Sequence, residues 1–597
     1  MKTKLILPLF ILLGVVGCGG NNSTSNTSTT SQSQSSQKTS SSFDKVSSSN
    51  SEKVSSSSSI IDPSVIVDVP EEDKITPKPS DNFDFDDYND TNIEYDTNKW
   101  YANELKSIPL PDPYVIEADG VYYIYGTTDR TAARSVDCYS TKDFNNFTLH
   151  KDVFLRDSTY WSGTTTGIFA PEILVYDDMY YMYYSAEHKD TGRRYIDVVV
   201  SESPTGPFVG YEGENFFGDT VNSKLDPIFK HNDNIGLSVL DQTLFVDDDD
   251  KMYMYYSVYD TGVSQYIVGF EMYDPVTPNW DTYKVLVRPG EHSAAATTLK
   301  TYWWEALTDF EVAEGPQMIK SPNGKYYLTY SVNHYPNRYY TVCYAESSSP
   351  LGDYTKPYVK NGQWTNLLFG YAGGTAATTV HSQWEGFMSG TAHHCFFKIG
   401  DQHMIGYHAH KNRNDSTQGR MFGMDKLFFD ADGVPYCHGP STTVQTLPEA
   451  ISGYKNIALD ARVYASSTIT NPQRINDNFI TEHYNLPQEK DREVGIPTGK
   501  SYIELKFDKE YEIGGIQIMN SVFFAEHLEE VAFINFFNGN AILDATIDYN
   551  VVDIDKEFIK PMTGITFDLN DFKADKVVVC FDSSYDAFVN EIIVLGK

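Results

Sequence analysis

Gly120-Val-Tyr-Tyr-Ile-Tyr-Gly-Thr127 is the first of five copies of one aromatic-rich phrase. The other copies are Asp178-Met-Tyr-Tyr-Met-Tyr-Tyr-Ser185, Lys251-Met-Tyr-Met-Tyr-Tyr-Ser257, Gly324-Lys-Tyr-Tyr-Leu-Thr-Tyr-Ser331 and Asp401-Gln-His-Met-Ile-Gly-Tyr-His408. A turn signal stands before each copy and a second apolar run before each turn, so every repeat contains a β-hairpin. The copies recur at roughly 60 to 80 residues, and helical periodicity is nearly absent. Five such units predict an all-β fold built on a five-bladed β-propeller, because a β-helix has shorter repeats and a sandwich does not repeat its hairpin.

A polar residue begins the first strand of each predicted hairpin. In order along the chain these residues are Asp112, Glu172, Asp241, Glu314 and the pair His393-His394. The innermost strand of a propeller blade runs along the central channel, so we expect these side chains to face one another across the axis. Ionisable groups gathered in a narrow channel shift one another's pKa, which is typical of a catalytic site.

Short motifs around these residues resemble, blade by blade and in the same order, those of glycoside hydrolase family 43. They are Pro111-Asp112-Pro-Tyr-Val-Ile, Ala170-Pro171-Glu172, Leu240-Asp241-Gln-Thr-Leu-Phe-Val, Ala313-Glu314-Gly315-Pro316 and Gly390-Thr-Ala-His393-His394. The match covers about residues 105 to 445. Each motif is weak alone, but five of them in sequence at blade spacing are a strong signal.

The resemblance implies inverting hydrolysis of a glycosidic bond by three acids. Asp112 would be the general base that activates water, and Glu314 the general acid that protonates the leaving oxygen. Asp241 would tune the pKa of the acid and orient it. Inversion requires two carboxyl groups about 6.5 to 9.5 Å apart, with room for water between them. Glu172 is expected to make hydrogen bonds rather than to catalyse, and no catalytic cofactor is required.

His393 resembles the family histidine near the propeller axis, which meets a calcium ion or an ordered water. The family pattern has Gly before this His, whereas this chain has Ala392. One His among oxygen ligands is also atypical for a hard cation, so structural Ca²⁺ at the axis and an ordered water both remain open. Arg420 fits the closing blade of the family and is expected to be structural.

Aromatic residues lie in insertions just ahead of the second-blade and fourth-blade motifs. They are Trp161, Phe169, Trp303 and Trp304. Loops in this place lie near the mouth of the channel, so these rings would bind substrate by stacking on sugars. Packing within the loops explains the same residues equally well.

Residues 454–597 change in style and form a second predicted domain after a propeller at 101–450. Alternating strand patterns such as Tyr502-Ile-Glu-Leu-Lys-Phe507 and Lys576-Val-Val-Val-Cys-Phe581 predict a β-sandwich. Their order resembles a discoidin-like domain, the jelly-roll fold of some carbohydrate-binding modules and of the coagulation-factor C domains. This resemblance leaves open whether the domain binds a glycan or buttresses the propeller.

Residues 1–18 have the anatomy of a bacterial lipoprotein signal peptide. A short basic start precedes an apolar run, and Val15-Val16-Gly17-Cys18 resembles a lipobox in which Cys18 becomes lipidated. Residues 19–100 are Ser- and Thr-rich and then acidic, which predicts a disordered tether. We therefore expect an exported protein, anchored by lipid to the outside of a bacterial cell membrane. The other five cysteines show no metal or disulfide pattern and are expected to be buried thiols.

The 597-residue chain carries a formal net charge of −36. This charge disfavours nucleic acid, anionic lipid and polyanionic substrates, whereas neutral oligo- and polysaccharides meet no such penalty. The family resemblance implies action on pentose-containing glycans, of the α-L-arabinofuranosidase or β-xylosidase type. Two alternatives remain: a surface glycan-binding lipoprotein with an inactive propeller, and a five-bladed hydrolase of a related retaining clan. The sequence leaves the oligomeric state open.

Overall fold

The computed structural model describes residues 95–103, 108–128, 135–156, 159–163, 167–230, 237–260, 264–294, 302–306, 310–337, 340–357, 366–370, 390–412, 415–441, 444–480, 492–521, 528, 531–543 and 564–597. All of them belong to one compact unit, Ile61–Lys597. The predictions for the signal peptide, for Cys18 and for most of the tether lie outside the described residues.

A short strand, β1 (Trp100–Tyr101), precedes five four-stranded antiparallel sheets, each built from consecutive strands. Blade 1 comprises β2 (Tyr114–Ala118), β3 (Val121–Tyr125), β4 (Ser135–Thr141) and β5 (Thr148–Leu155). Blade 2 comprises β6 (Ile168–Tyr176), β7 (Met179–Glu187), β8 (Arg194–Ser201) and β9 (Val209–Gly210), and is followed by the hairpin β10 (Glu212–Glu214) and β11 (Thr220–Asn222). Blade 3 comprises β12 (Ser238–Val246), β13 (Met252–Asp260), β14 (Ser264–Asp274) and β15 (Thr277–Val287). Blade 4 comprises β16 (Ala313–Lys320), β17 (Tyr326–Val332), β18 (Thr341–Ser347) and β19 (Leu367–Phe369). Blade 5 comprises β20 (Ala392–Ile399), β21 (Gln402–Asn412), β22 (Asp415–Phe429) and β23 (Pro435–Cys437).

The first strands of the blades form a closed ring. Each of β2, β6, β12, β16 and β20 contacts the first strands of the blades on either side, and β20 contacts β2. The predicted five-bladed propeller is therefore confirmed. Since the blades are consecutive in the chain, blades 5 and 1 meet without a covalent connection at that point.

The tyrosines of the repeated phrase join neighbouring blades. The hydroxyl groups of Tyr125, Tyr183 and Tyr255 donate hydrogen bonds to the carbonyl oxygens of Pro204, Pro275 and Pro350, respectively, each in the next blade. All three rings are buried, and a buried phenol needs such an acceptor. In blades 1 to 3 the aromatic repeat thus packs the interior of the blade and fixes the blade to its neighbour.

The chain after the propeller forms β24 (Gln445–Thr446), a short helix α1 (Glu449–Ser452) and one eight-stranded antiparallel sheet. Its strands are β25 (Lys455–Asn456), β26 (Arg462–Ala465), β27 (Val494–Ile496), β28 (Gly499–Asn520), β29 (Phe533–Asn538), β30 (Ala541–Ile542), β31 (Gly564–Ser583) and β32 (Ala587–Gly596). The long strands β28 and β31 pair with each other and shift register after Lys506 and again after Ile513. Such breaks let long strands bend around a core. This strand-rich region agrees with the predicted β-sandwich, while its discoidin-like character stays a prediction.

The segment before blade 1 docks on the C-terminal domain. β1 pairs with β24, and the buried indole of Trp100 donates a 3.0 Å hydrogen bond to Asp568 Oδ1. Gly515 makes room for this ring, because a Cβ there would lie 2.3 Å from Trp100 Cζ2. Lys99 Nζ lies 2.6 Å from Asp568 Oδ1. Residues 95–100, which the sequence analysis assigned to the tether, are thus packed against folded protein, and that boundary is corrected.

Two further findings concern the described residues. All five cysteines among them, Cys138, Cys343, Cys395, Cys437 and Cys580, are free and buried, as the spacing predicted. None of the helices in the described ranges is long and apolar enough to cross a bilayer.

Candidate active site

At the beginning of the first strand of each blade, one residue adopts the left-handed conformation. The five residues have φ between 44° and 56°, and they are Asp112, Ala170, Asp241, Gly315 and His393. In blades 2 to 5 the pairing of the first two strands shifts register at this position. A bulge of this kind bends the strand locally and re-aims its side chains.

This common frame corrects the sequence alignment of the acids. Asp112, Asp241 and His393 occupy the bulge position itself, as expected. Glu314 lies one residue before its bulge residue, Gly315, and Glu172 lies two residues after Ala170. The five polar residues are therefore not equivalent, although all of them come from the beginning of a first strand.

Five side chains of the second strands join each blade to the bulge of the next. Each of them occupies the last position of the repeated phrase: Thr127, Ser185, Ser257, Ser331 or His408. The backbone N–H groups of Ala170, Asp241 and His393 donate to the hydroxyl oxygens of Thr127, Ser185 and Ser331, and Ser257 donates to the carbonyl oxygen of Ala313. The ring closes between blades 5 and 1, where the N–H of Asp112 donates to His408 Nδ1 at 3.1 Å. We call these five contacts the inter-blade ring.

Asp112 lies in a buried basic environment. Arg420 Nη1 is 2.7 Å and His393 Nδ1 is 3.2 Å from Asp112 Oδ1. Burial alone would raise the pKa of Asp112, but Arg420, His393 and His408 hold it well below its ordinary value. Burial lowers the pKa of His408 to about 3, with Arg420 contributing. His408 is therefore neutral, and its Nδ1 is free to accept the N–H of Asp112.

Glu314 is held by two neutral donors. The hydroxyl of Tyr340 donates to Glu314 Oε1, and Gln265 Nε2 donates to Oε2, both at 2.8 Å. All three side chains are buried. Burial, followed by the carboxyl groups of Glu314, Asp241 and Asp112, raises the pKa of Tyr340 well above its ordinary value, so the phenol keeps its proton. The two donors fix the plane of the Glu314 carboxyl group.

Asp241 has a raised pKa. Burial is the main cause of a pKa of about 7 for Asp241; His393 and Arg194 oppose the shift, and the carboxyl groups of Glu314 and Asp112 add to it. Glu314 and Asp112 are thus near enough to act on Asp241 electrostatically. The three predicted acids are therefore brought together at the axis.

Glu172 lies at the axis but bonds to other blades. Gln317 Nε2 donates to Glu172 Oε1 at 2.6 Å. Burial raises the pKa of Glu172 well above its ordinary value, although Thr243 and Gln317 lower it by hydrogen bonding. A protonated Glu172 linking blade 2 to blade 4 agrees with the structural role expected from the sequence.

Sequence comparison gives this geometry a family. The model of "Glycosyl hydrolases family 43" matches residues 101–435, which is more than half of the chain. The chain belongs to this family.

Two curated relatives show how far this family-43 chain resembles known enzymes. It is 24% identical over 273 residues to the extracellular endo-α-(1→5)-L-arabinanase of Thermotoga petrophila, covering 42% of this chain and 51% of the relative. It is 25% identical over 349 residues to the β-D-galactofuranosidase xynD of Aspergillus niger, covering 56% of this chain and 81% of the relative. The chain spans about half the length of the arabinanases that match it first.

Solved structures resemble the propeller part of the chain. A thermostable family-43 glycoside hydrolase is 26% identical, with a TM-score of 0.45, and covers 58% of this chain and 98% of its own. An endo-1,4-β-xylanase from Bacteroides thetaiotaomicron is 29% identical, with a TM-score of 0.42, and covers 57% and 98%.

Two of the predicted stacking residues are packing residues in this family-43 chain. Trp161 is 1% exposed and donates its indole N–H to Asp197 Oδ2 at 2.8 Å. Trp304 is fully buried and donates to Asn366 Oδ1 at 3.0 Å. Neither presents a ring face to a sugar, which corrects the prediction for both. Phe169 is half-buried with Arg194 lying 5.0 Å from its ring centroid, and the side chain of Trp303 lies outside the described residues.

The surroundings of His393 fit a calcium ion poorly. Its Nδ1 faces Asp112, whose Oδ1 is already paired with the Arg420 guanidinium. A fixed cation there disfavours a second one, and imidazole is a poor ligand for Ca²⁺. Within the described ranges, no group of three or more His, Cys, Asp and Glu side chains is arranged to hold a metal. We therefore derive no step through a metal.

Several residues of the site were missed or undervalued by sequence reasoning. Arg420, expected to be structural, contacts Asp112 directly. Tyr340 and Gln265 lie outside the repeated motifs and carry no local signal. His408 could have been found, because it stands where the other repeats carry Ser or Thr. The guanidinium of Arg420 lies over the ring of Tyr335, 4.7 Å from its centroid, and Tyr335 is partly exposed to solvent.

Proposed function

We propose that this chain is an inverting glycosidase that uses Asp112 as general base and Glu314 as general acid. The observation that carries the proposal is the gathering of three buried carboxyl groups at the axis, where Arg420 and His393 hold the pKa of Asp112 low and Tyr340 and Gln265 fix the carboxyl group of Glu314. Two carboxyl groups in different environments are what acid–base hydrolysis of a glycoside requires.

Asp112 is suited to take a proton from water. Arg420 and His393 fix its Oδ1, which leaves Oδ2 to accept from a nucleophilic water on one face of the sugar. As the C–O bond to the new hydroxyl forms, the proton of that water passes to Asp112. The loss of positive partners would make the carboxyl group easier to protonate and would misplace the water.

Glu314 is suited to protonate the leaving oxygen. Tyr340 and Gln265 orient its carboxyl group, and Asp241 lies close enough to interact with it electrostatically. When the glycosidic C–O bond breaks, the proton of Glu314 passes to the departing oxygen. Glu314 then ends as a carboxylate and Asp112 as an acid, which balances the single hydrolysis.

The substrate we propose is a neutral pentose-containing glycan. Of the two candidate sugars, we prefer an α-L-arabinofuranosyl residue to a β-xylosyl residue. The preference rests on the curated relatives, of which the first ones are named as arabinanases. A panel of nitrophenyl glycosides tests it, with α-L-arabinofuranoside, β-D-xyloside and β-D-galactofuranoside compared at equal concentration. Turnover of neither pentoside would contradict the proposed substrate class, even if the galactofuranoside were hydrolysed.

Variants separate catalysis from folding. Asp112→Asn and Glu314→Gln should each lower kcat by about 10²- to 10⁴-fold, and Asp119→Asn, in an exposed turn, serves as the matched control. Proton NMR of the first-formed anomer tests the mechanism, because a product that retains its configuration would refute inversion. Full activity in EDTA is expected, since the residues at the axis fit calcium poorly.

We also propose that the protein is exported and anchored by lipid at Cys18. The lipobox-like sequence supports anchoring, and relatives named as extracellular support export. Labelling of cells with a fatty-acid analogue should mark the parent protein and not Cys18→Ser. An unlabelled parent found free in the medium would contradict the anchor.

A further inference from the structure

The hairpin between blades 2 and 3 presents aromatic rings to solvent. Phe216 and Phe217 lie at the tip between β10 and β11, and they are 60% and 62% exposed. They form a cluster with Tyr273 of β14, which is 43% exposed. Phe216 stacks on Tyr273 with 5.0 Å between centroids and 16° between planes, and Phe217 packs edge-on against both. We call Phe216, Phe217 and Tyr273 the aromatic cluster.

The cluster is held in place rather than loosely displayed. The N–H of Phe216 donates to Thr277 Oγ1 of blade 3 at 2.9 Å. The side-chain oxygen of Asn215 accepts from the N–H groups of Phe217 and Asp219, at 3.0 and 2.9 Å. Exposing large apolar rings on a fixed tip is unfavourable in water, and such patches typically mark a binding surface.

A surface depression of about 720 Å³ adjoins the cluster. Tyr273 lines it together with the exposed apolar side chains of Val175, Tyr176 and Val246. Glu271 and Lys251 add hydrogen-bonding groups. Its size falls within the range of roughly 300 to 1,000 Å³ that accommodates a small ligand, and the mixture of ring faces and polar groups is typical of such sites.

This surface is separate from the acids. The depression includes Val246, at the far end of β12, whereas Asp241 lies near the beginning of that strand. At about 3.3 Å per residue the two points are roughly 16 Å apart along the strand, so a sugar on one cannot contact the other.

Charge decides between candidate occupants. Glu214, Asp219 and Asp274 flank the cluster, and Asp250 and Glu271 lie in the depression. These carboxylates repel a second copy of a chain with net charge −36, an anionic membrane and a polyanionic glycan. A neutral sugar chain is not repelled, and its hydroxyl groups can donate to the same carboxylates.

We propose that the aromatic cluster and its depression bind a neutral polysaccharide chain at a site remote from the acids. The site holds the polymer on the propeller while the axis acts on one bond. Binding does not depend on the reaction, so the proposal can succeed or fail independently of the proposed hydrolysis.

Affinity electrophoresis of the full-length protein in gels containing soluble arabinan or arabinoxylan tests the proposal. The Glu314→Gln background prevents digestion of the polymer. Phe216→Ala/Phe217→Ala should weaken retardation by about five-fold or more in at least one of the two gels. Leu225→Ala, at a side chain that is 63% exposed and outside the cluster, should leave retardation unchanged. With Glu314 restored, the double variant should unfold at the parent temperature and hydrolyse a nitrophenyl glycoside at the parent rate.

Several outcomes would overturn the proposal. One is equal retardation of parent and double variant, and another is no retardation of the parent by either neutral polymer. Equal retardation by polygalacturonate would contradict the charge argument. Loss of binding to phosphatidylcholine vesicles, or of self-association in sedimentation, without any change in polysaccharide binding would assign the cluster to a lipid surface or a second copy instead.

Discussion

His408 is the position at which the inter-blade ring can be tested most directly. We consider two substitutions, His408→Ala and His408→Asn. Alanine removes the acceptor of the buried Asp112 N–H, whereas asparagine places Oδ1 close to the position of Nδ1. The pair therefore separates the hydrogen bond from the presence of a side chain.

The expected loss for His408→Ala follows from two effects. A buried N–H left without an acceptor costs about 1–3 kcal/mol. The space left by the imidazole, roughly 60 Å³, adds about 1.5 kcal/mol at ~24 cal/mol per Å³. The free energy of unfolding should fall by about 2.5–4.5 kcal/mol. Because the N–H belongs to the residue proposed as base, kcat should fall by about 10- to 100-fold with little change in KM.

Urea unfolding and nitrophenyl glycoside kinetics measure the two quantities on the same preparations. His408→Asn should keep more than half of the lost stability and an activity within about three-fold of the parent. If both variants lose equal stability and activity, the packing of the His408 ring is what matters, and the hydrogen bond accepted by its Nδ1 is not. If His408→Ala retains the parent kcat, the closing contact of the inter-blade ring does not position Asp112.

Three further predictions concern other parts of the chain. Gly315→Ala should lose about 1–2 kcal/mol of stability and lower kcat, because the φ of Gly315 is +53° and an added Cβ would lie 3.3 Å from the His393 ring. Gly324→Ala is the control for backbone strain alone, since Gly324 has φ +84° and no atom would lie within 4 Å of the added Cβ. Equal losses of kcat in the two variants would refute a role for the contact with His393. Asp241 has a folded pKa of about 7 against an ordinary value of 3.8, so its contribution to stability is present below pH 3.8 and is lost as pH rises toward 7, by up to about 1.4 kcal/mol per pH unit. The melting temperature of Asp241→Asn should therefore rise relative to that of the parent between pH 4 and pH 7. A difference in melting temperature that stays constant with pH would contradict this. Trp100→Ala should lower the free energy of unfolding by about 3–5 kcal/mol in urea, since it empties the contact above Gly515, and an unchanged midpoint would show that β1 does not hold the C-terminal domain.

The number of blades could be predicted because the residues that recur in the repeated phrase have separate structural roles. Tyr125 and its counterparts Tyr183 and Tyr255 bond to the next blade, and Thr127 and its counterparts bond to the next blade's first strand. The phrase is therefore visible in the sequence five times. Local patterns of this kind, in which side-chain type and position repeat together, specify topology well.

The different positions of the acids relative to the left-handed residue of each blade could not be predicted. A bulge adds one residue to a strand without leaving a visible change in the sequence pattern of that strand. Glu314 and Asp112 look equivalent in sequence and differ by one position in the structure. Burial of insertions was equally hidden. Trp161 and Trp304 are aromatic residues in loops, and only the position of Asp197 and Asn366 shows that they point inward. Contacts between residues distant in the chain decide both cases.

The pairing of β1 with β24 has a consequence for the order of synthesis. The two strands are separated by about 345 residues in the chain, and the rest of the docking site, around Gly515 and Asp568, is synthesised later still. At about 5–20 residues per second β1 waits on the order of a minute for its complete partner surface. All five blades emerge during that wait. The propeller and the C-terminal domain are therefore not interchangeable modules, and cutting the chain near residue 450 would leave the Trp100 indole without its cover.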